Sequence, residues 1–235
     1  MTRQEFRSLI LKADYYTKYE PILNKDSLEV FAYEALSKFD IHNDTICTED
    51  IFRKLHHNNQ LFFELEKRNK QLQIENYNLD KKLFVNFDAD IVVTKQQQDY
   101  WEKFLLKHKD KIVVEITENG SDDETSACIM RNFSDWLNQI GIDAALDDFA
   151  QDGSMFSFYM MDRSRYIKID KSFLRQIEKN KNYLPYLNGI LKTIKMNKQK
   201  SIIEGVETKE DLEIVQNLDC DYIQGYYFNK YVRIA

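Results

Sequence analysis

"YYTKYEPILNKDSLEVFAYEALSKF", residues 15–39, decides the fold. It holds two β-type runs, 15–24 and 30–39, joined only through "NKDSLE" (24–29). So few residues cannot make the crossover that parallel neighbours need, and the pair predicts an antiparallel hairpin. Six more apolar or β-branched runs follow: "KLFVNF" (82–87), "IVVEIT" (112–117), "DAALDDF" (143–149), "YIKID" (166–170), "SIIEGV" (201–206) and "YIQGYYF" (222–228). Between most of them lie stretches with apolar residues at three- and four-residue intervals, as in 96–110, 126–140 and 184–197. Strands alternating with helices predict a closed α/β barrel of the (β/α)8 TIM type, here with its first strand reversed.

Composition agrees with one soluble domain over residues 1–235, in which residues 1–14 lead into the barrel as a helix. The chain is 43% hydrophobic and 31% charged, with six Gly, two Pro and no linker-like stretch. A net charge of −6 argues against binding polymeric nucleic acid, which calls for a basic surplus. Three cysteines without CxxC spacing predict reduced thiols in a cytoplasmic protein. The N-terminal segment has neither the long apolar core of a membrane anchor nor a cleavage site.

Polar residues interrupt the predicted strands where a barrel places its chemistry. Glu34, Asn86, Glu115, Asp147, Asp148, Lys168, Glu204 and Gln224 fall within strands or at their C-terminal ends, which converge on one pocket. Any one of them reads equally well as a rim residue or half of an ion pair. Five carboxylates converging beside one lysine repel one another unless cations sit among them. Carboxylate and amide oxygens without His or Cys suit hard cations, Mg²⁺ or Mn²⁺. His42, His56, His57 and His108 lie outside this set.

"YEAL" (33–36), "VNF" (85–87), "EITE" (115–118), "LDDF" (146–149), "IKID" (167–170), "EGVET" (204–208) and "DYIQGYYF" (221–228) stand in the order and approximate spacing of one family. From about Tyr19 to Tyr231 the chain resembles the EAL domain, whose active members hydrolyse cyclic di-GMP to linear pGpG with two Mg²⁺ or Mn²⁺ ions. The resemblance implies that Glu34, Asn86, Glu115 and Asp147 bind the first metal, with Asp147 bridging to a second held by Asp148. It implies catalytic roles for Lys168, Glu204 and Gln224, and contacts to the substrate from Glu20, Leu36 and Lys38. Glu118, Asp170 and Glu207 fall to a supporting shell, and a homodimer is expected through the face near the loop after Asp148. Ca²⁺, larger and looser in coordination, is expected to inhibit.

The chain departs from the family pattern in places. Where DDFGTGYSS is usual, residues 147–155 read "DDFAQDGSM", so Ala150 and Asp152 replace two glycines. A positive φ at either position would cost roughly 1 kcal/mol or more. Lys38 stands for an arginine, Glu20 for the Gln of "YQPI", and Tyr231 for a proline. Three readings follow: an active phosphodiesterase, a degenerate cyclic di-GMP receptor with weak turnover, and a protein-interaction domain. No cyclase-type or sensory segment is visible.

Overall fold

The computed structural model describes residues 14–40, 55, 58–117, 124–153 and 157–235. The helix expected over 1–14 lies outside them except for Asp14, which already belongs to a strand. The strands are β1 (Asp14–Asn24), β2 (Val30–Asp40), β3 (Lys82–Asn86), β4 (Ile112–Thr117), β5 (Ala144–Phe149), β6 (Tyr166–Ile169), β7 (Lys200–Ile203), β8 (Tyr222–Gln224) and the short β9 (Arg233–Ile234). β2 to β8 pair in sequence order and all parallel. β1 closes the barrel by pairing antiparallel with both β2 and β8. The predicted hairpin is therefore present. Its turn is held by Asn24, whose Oδ1 accepts the N–H groups of Asp26 and Ser27 at 3.0 Å each.

Helices α1 (Asn59–Glu75), α2 (Lys95–His108), α3 (Glu124–Gln139), α4 (Phe158–Asp162), α5 (Lys171–Lys179), α6 (Leu184–Met196) and α7 (Lys209–Gln216) belong to the connections. Alternation along each strand sends one set of side chains outward and the other into the barrel. Leu83, Val85, Ile112, Val114, Leu146, Ile167, Ile169 and Ile203 join the large outer core shared with the helices. Ile22, Ala32, Phe84, Val113, Ala145, Tyr166 and Ile202 form a separate apolar floor inside. This floor seals the barrel and leaves the next inward positions to carry polar groups.

Two strands end earlier than the sequence predicts. The run 201–206 leaves the sheet after Ile203 because Gly205 has φ +71°. The run 222–228 leaves it after Gln224, and a 3-10 helix spans Tyr226–Tyr231. Both glycines are required by close approach: a Cβ on Gly205 would strike Lys171, and one on Gly225 the backbone of Val206. The two-residue β9, too short to read from periodicity, pairs with β1.

The β1–β2 hairpin outruns the barrel. β2 pairs with β3 only as far as Ala35, whereas β1 and β2 stay paired to Asp14 and Asp40. α1 braces this extension from outside. Gln73 Nε2 donates to the Ala35 carbonyl at 3.1 Å and to Ser37 Oγ at 3.0 Å, and Tyr19 OH donates to the Gln73 carbonyl at 2.8 Å.

Candidate active site

Two residues beyond the apolar floor, each parallel strand from β2 onward turns a polar group inward at its C-terminal end or just past it. Ala32 is followed by Glu34, Phe84 by Asn86, Val113 by Glu115, Ala145 by Asp147, Tyr166 by Lys168, Ile202 by Glu204 and Tyr222 by Gln224. Lys168, only 1% exposed, is the hub. Its Nζ lies 2.7 Å from Glu115 Oε1, 2.8 Å from Asp147 Oδ1, 2.9 Å from Glu204 Oε1 and 3.3 Å from Glu34 Oε2. Glu34 is held from two sides, by Gln224 Nε2 at 2.6 Å and Asn86 Nδ2 at 3.1 Å.

Asp147 and Asp148 are adjacent, so a regular strand would point them to opposite faces. β5 solves this with a break in its pairing to β6 between Leu146 and Phe149, and Asp148 takes φ +52°. The break re-aims Asp148, so that Asp147, Asp148 and Glu204 bring carboxylate oxygens within 4.8 Å of one another. Glu34, Glu115 and Asp147 form a second such group, and Asp147 belongs to both.

One ammonium does not balance five converging carboxylates, and the ionisation equilibria register the imbalance. Burial pushes Glu115 well above the usual carboxylate range, with the Glu34 charge adding to it. Burial likewise raises Asp147. It lifts Glu204 to about 8, with Asp147 and Glu34 adding their repulsion. Asp148 is pushed up to about 6 by burial and the neighbouring Asp147 charge. Glu34 goes the other way: burial acts against it, but Lys168, Gln224 and Asn86 together hold it below its ordinary value. Lys168 stays charged, because the four carboxylates outweigh the cost of burying it.

The donor set fits hard cations. All of these donors are oxygens, and Glu115 Oε2 is buried without a hydrogen-bond partner. His108 lies at the end of α2 beside Phe104, away from the barrel mouth; His42, His56 and His57 lie outside the described residues.

The remaining expected residues fall in several places. Glu20 sits on the inward face of β1 opposite Glu34 and is paired with Lys18 at 2.6 Å, a partner that sequence reading missed. Leu36 and Lys38 share that inward face on the β2 extension. Asp170 caps α5, accepting from the Ser172 N–H at 2.9 Å, while the Lys168 ammonium pairs with Glu34, Glu115, Asp147 and Glu204. Glu207 is exposed and contributes its backbone N–H rather than its carboxylate. Glu118 lies outside the described residues. In the altered loop Ala150 has φ +63°, whereas Asp152 is not in the left-handed region and Gly153, at +82°, is.

Among the described residues no helix is long and apolar enough to cross a membrane. Cys128 is exposed and Cys220 buried, both free, and Cys47 lies outside the described residues.

Known proteins resemble this chain in sequence and in fold. The probable cyclic di-GMP phosphodiesterase PdeN of Escherichia coli K12 is 24% identical over 237 residues, covering 97% of this chain and 45% of that protein. The cyclic di-GMP phosphodiesterase TpdA of Vibrio parahaemolyticus is 23% identical over 215 residues, covering 92% of this chain and 37% of that protein. The chain thus spans less than half the length of these relatives. Among solved structures, the PaMucR phosphodiesterase in complex with c-di-GMP superposes with a TM-score of 0.76 at 20% identity, covering 95% of this chain and 94% of that one. An EAL domain protein from Listeria monocytogenes EGD-e gives 0.76 at 19% identity, covering 97% and 92%. The profile of the EAL domain matches residues 3–231, and the chain belongs to the EAL domain family.

Proposed function

We propose that this protein hydrolyses cyclic di-GMP to linear pGpG with the help of two divalent cations, Mg²⁺ or Mn²⁺. The observation that carries the reading is Asp147, shared between the Glu34–Glu115–Asp147 group and the Asp147–Asp148–Glu204 group. Cations held by these residues and by Asn86 would supply an acidified water and neutralise charge on the phosphoryl oxygens. Water adds to phosphorus, the bond to the 3′ oxygen breaks, and that oxygen takes up a proton. Lys168 serves as a fixed cation for the phosphate or the attacking water. Its own pKa is held too high for it to act as a base. Gln224 and Asn86 fix Glu34, while Glu20, Leu36 and Lys38 face the nucleotide from the hairpin.

In this reading the chain acts as one domain in the cytoplasm, without polymeric nucleic acid. It pairs as a homodimer near the loop after Asp148, where Phe158 is 69% exposed. Ca²⁺ enters such oxygen sites but tolerates irregular geometry, so it suppresses turnover. Ala150 at φ +63° favours a second reading, in which a distorted loop weakens the Asp148 side and leaves a receptor with slow turnover.

Incubation of purified protein with cyclic di-GMP, followed by separation of the nucleotides, decides between them. The enzyme reading predicts pGpG with Mg²⁺ or Mn²⁺ and none in EDTA. Binding without cleavage at saturating Mn²⁺ assigns the receptor role instead.

A further inference from the structure

The segment after β7 carries Glu204 into the site, and nearly every backbone polar group near it is fixed. Glu204 N–H donates to the Ile169 carbonyl at 3.0 Å, Val206 N–H to the Gln224 carbonyl at 3.1 Å, and Tyr227 N–H to the Val206 carbonyl at 3.0 Å. The remaining anchors converge on one carboxylate. Asp211, fully buried at the first turn of α7, accepts through Oδ2 from the N–H groups of Glu207 at 2.9 Å and Thr208 at 3.0 Å. The same oxygen accepts from Arg175 Nη2 of α5 at 2.7 Å. Arg175 Nη2 also donates to the carbonyl of Gly205, the residue next to Glu204, at 2.9 Å. Glu178 Oε1, 2.6 Å from Nη1, orients the guanidinium from the other side.

The geometry points to Arg175 and Asp211 as a positioning pair that holds the Glu204 carboxylate in register with Asp147 and Asp148 for the second cation. The inference rests on the two-cation reading above and deepens it. α5 begins directly after the strand that bears Lys168, so the pair ties the Glu204 segment to the Lys168 strand across two βα units. A Cβ on Gly205 would strike Lys171 at the start of α5, so the segment meets α5 through bare backbone there, and the Gly205 carbonyl is what Arg175 holds. A site of this kind tolerates displacements of only about 0.5 Å before a ligand is lost. Asp211 belongs to neither of the two carboxylate groups that could hold a cation, and it acts on Glu204 through Arg175 and the two backbone N–H groups.

Calorimetric titration with Mn²⁺ in the absence of nucleotide tests the pair without relying on turnover. Wild type, Arg175→Met and Arg175→Lys are compared, with thermal melts confirming that each is folded; Asp211→Asn replaces any that is not. The expected result is that Arg175→Met weakens one Mn²⁺ site about tenfold or more, the scale for groups that orient metal ligands. The other site is unchanged, and Arg175→Lys, whose ammonium can meet the same two oxygens, recovers part of the loss. A purely structural role would lower the melting temperature and leave both Mn²⁺ affinities alone, which overturns the proposal. A wild type that takes up no Mn²⁺ overturns the two-cation reading and this inference with it, so the two failures are distinguishable.

Discussion

Removing the Lys168 ammonium leaves Glu34, Glu115, Asp147 and Glu204 facing one another in a buried site with no other cation of the described residues paired to them. Breaking a buried charge pair from one side costs about 3–5 kcal/mol. Lys168→Met is therefore expected to melt much lower than wild type in EDTA, to regain much of the difference with Mn²⁺, and to lose about 10² or more in turnover. A variant with wild-type stability in EDTA would show that the carboxylates are balanced by something else. The pKa shifts give a second test. Glu204, at about 8, and Asp148, at about 6, bind protons in the folded state that the unfolded chain releases near pH 4 to 4.5. The folded state thus holds more protons over that range, and metal-free stability falls as pH rises from about 5 to above 8. Cations replace those protons, so the rise in melting temperature on adding Mg²⁺ is larger at pH 8.5 than at pH 5.5. An equal rise at both values contradicts the shifts. At this scale most of the site was legible, because each polar residue interrupts an otherwise apolar strand. The direction of Asp148 was not, since it depends on a break in pairing that no alternation pattern encodes. Arg175 and Asp211 were hidden too: they lie 36 residues apart and belong to different helices.

Among the elements, the loop after β5 is where sequence and backbone conflict. Ala150 carries a left-handed φ, which costs a residue with a Cβ about 1–2 kcal/mol, partly offset by the greater unfolded-state freedom of glycine. Ala150→Gly should stabilise the protein by about 1 kcal/mol net, a rise of about 2–4 °C in melting temperature. Asp152→Gly should not, because Asp152 is outside the left-handed region and its N–H and carboxylate tie the loop to Ser172 and Gln176 of α5. Equal gains from both substitutions, measured by thermal unfolding, would mean that the strain is not local to Ala150. The strands themselves were legible to within a few residues wherever alternation persists. Their ends after Ile203 and Gln224 were not, because Gly205 and Gly225 stop them through contacts with Lys171 and Val206 from other parts of the chain.

For the whole molecule, the reversed β1 does more than close the barrel. It lets the β1–β2 hairpin extend beyond the rim, placing Leu36 and Lys38 above the polar layer with Glu20 beside Glu34 at its level, while α1 braces the far face. The five-residue connection made that topology readable from the start; the brace by α1 depends on Gln73 and Tyr19 meeting across 54 residues and gave no local signal. Asp147 is common to both carboxylate groups, and in the proposed function it is shared by two cations. Equilibrium Mn²⁺ stoichiometry of wild type, Asp148→Ala and Asp147→Ala tests it most directly. Two sites sharing one carboxylate predict about two ions per chain in wild type, about one in Asp148→Ala, and little tight binding in Asp147→Ala. An Asp147→Ala protein that still binds Mn²⁺ as wild type does would contradict the account.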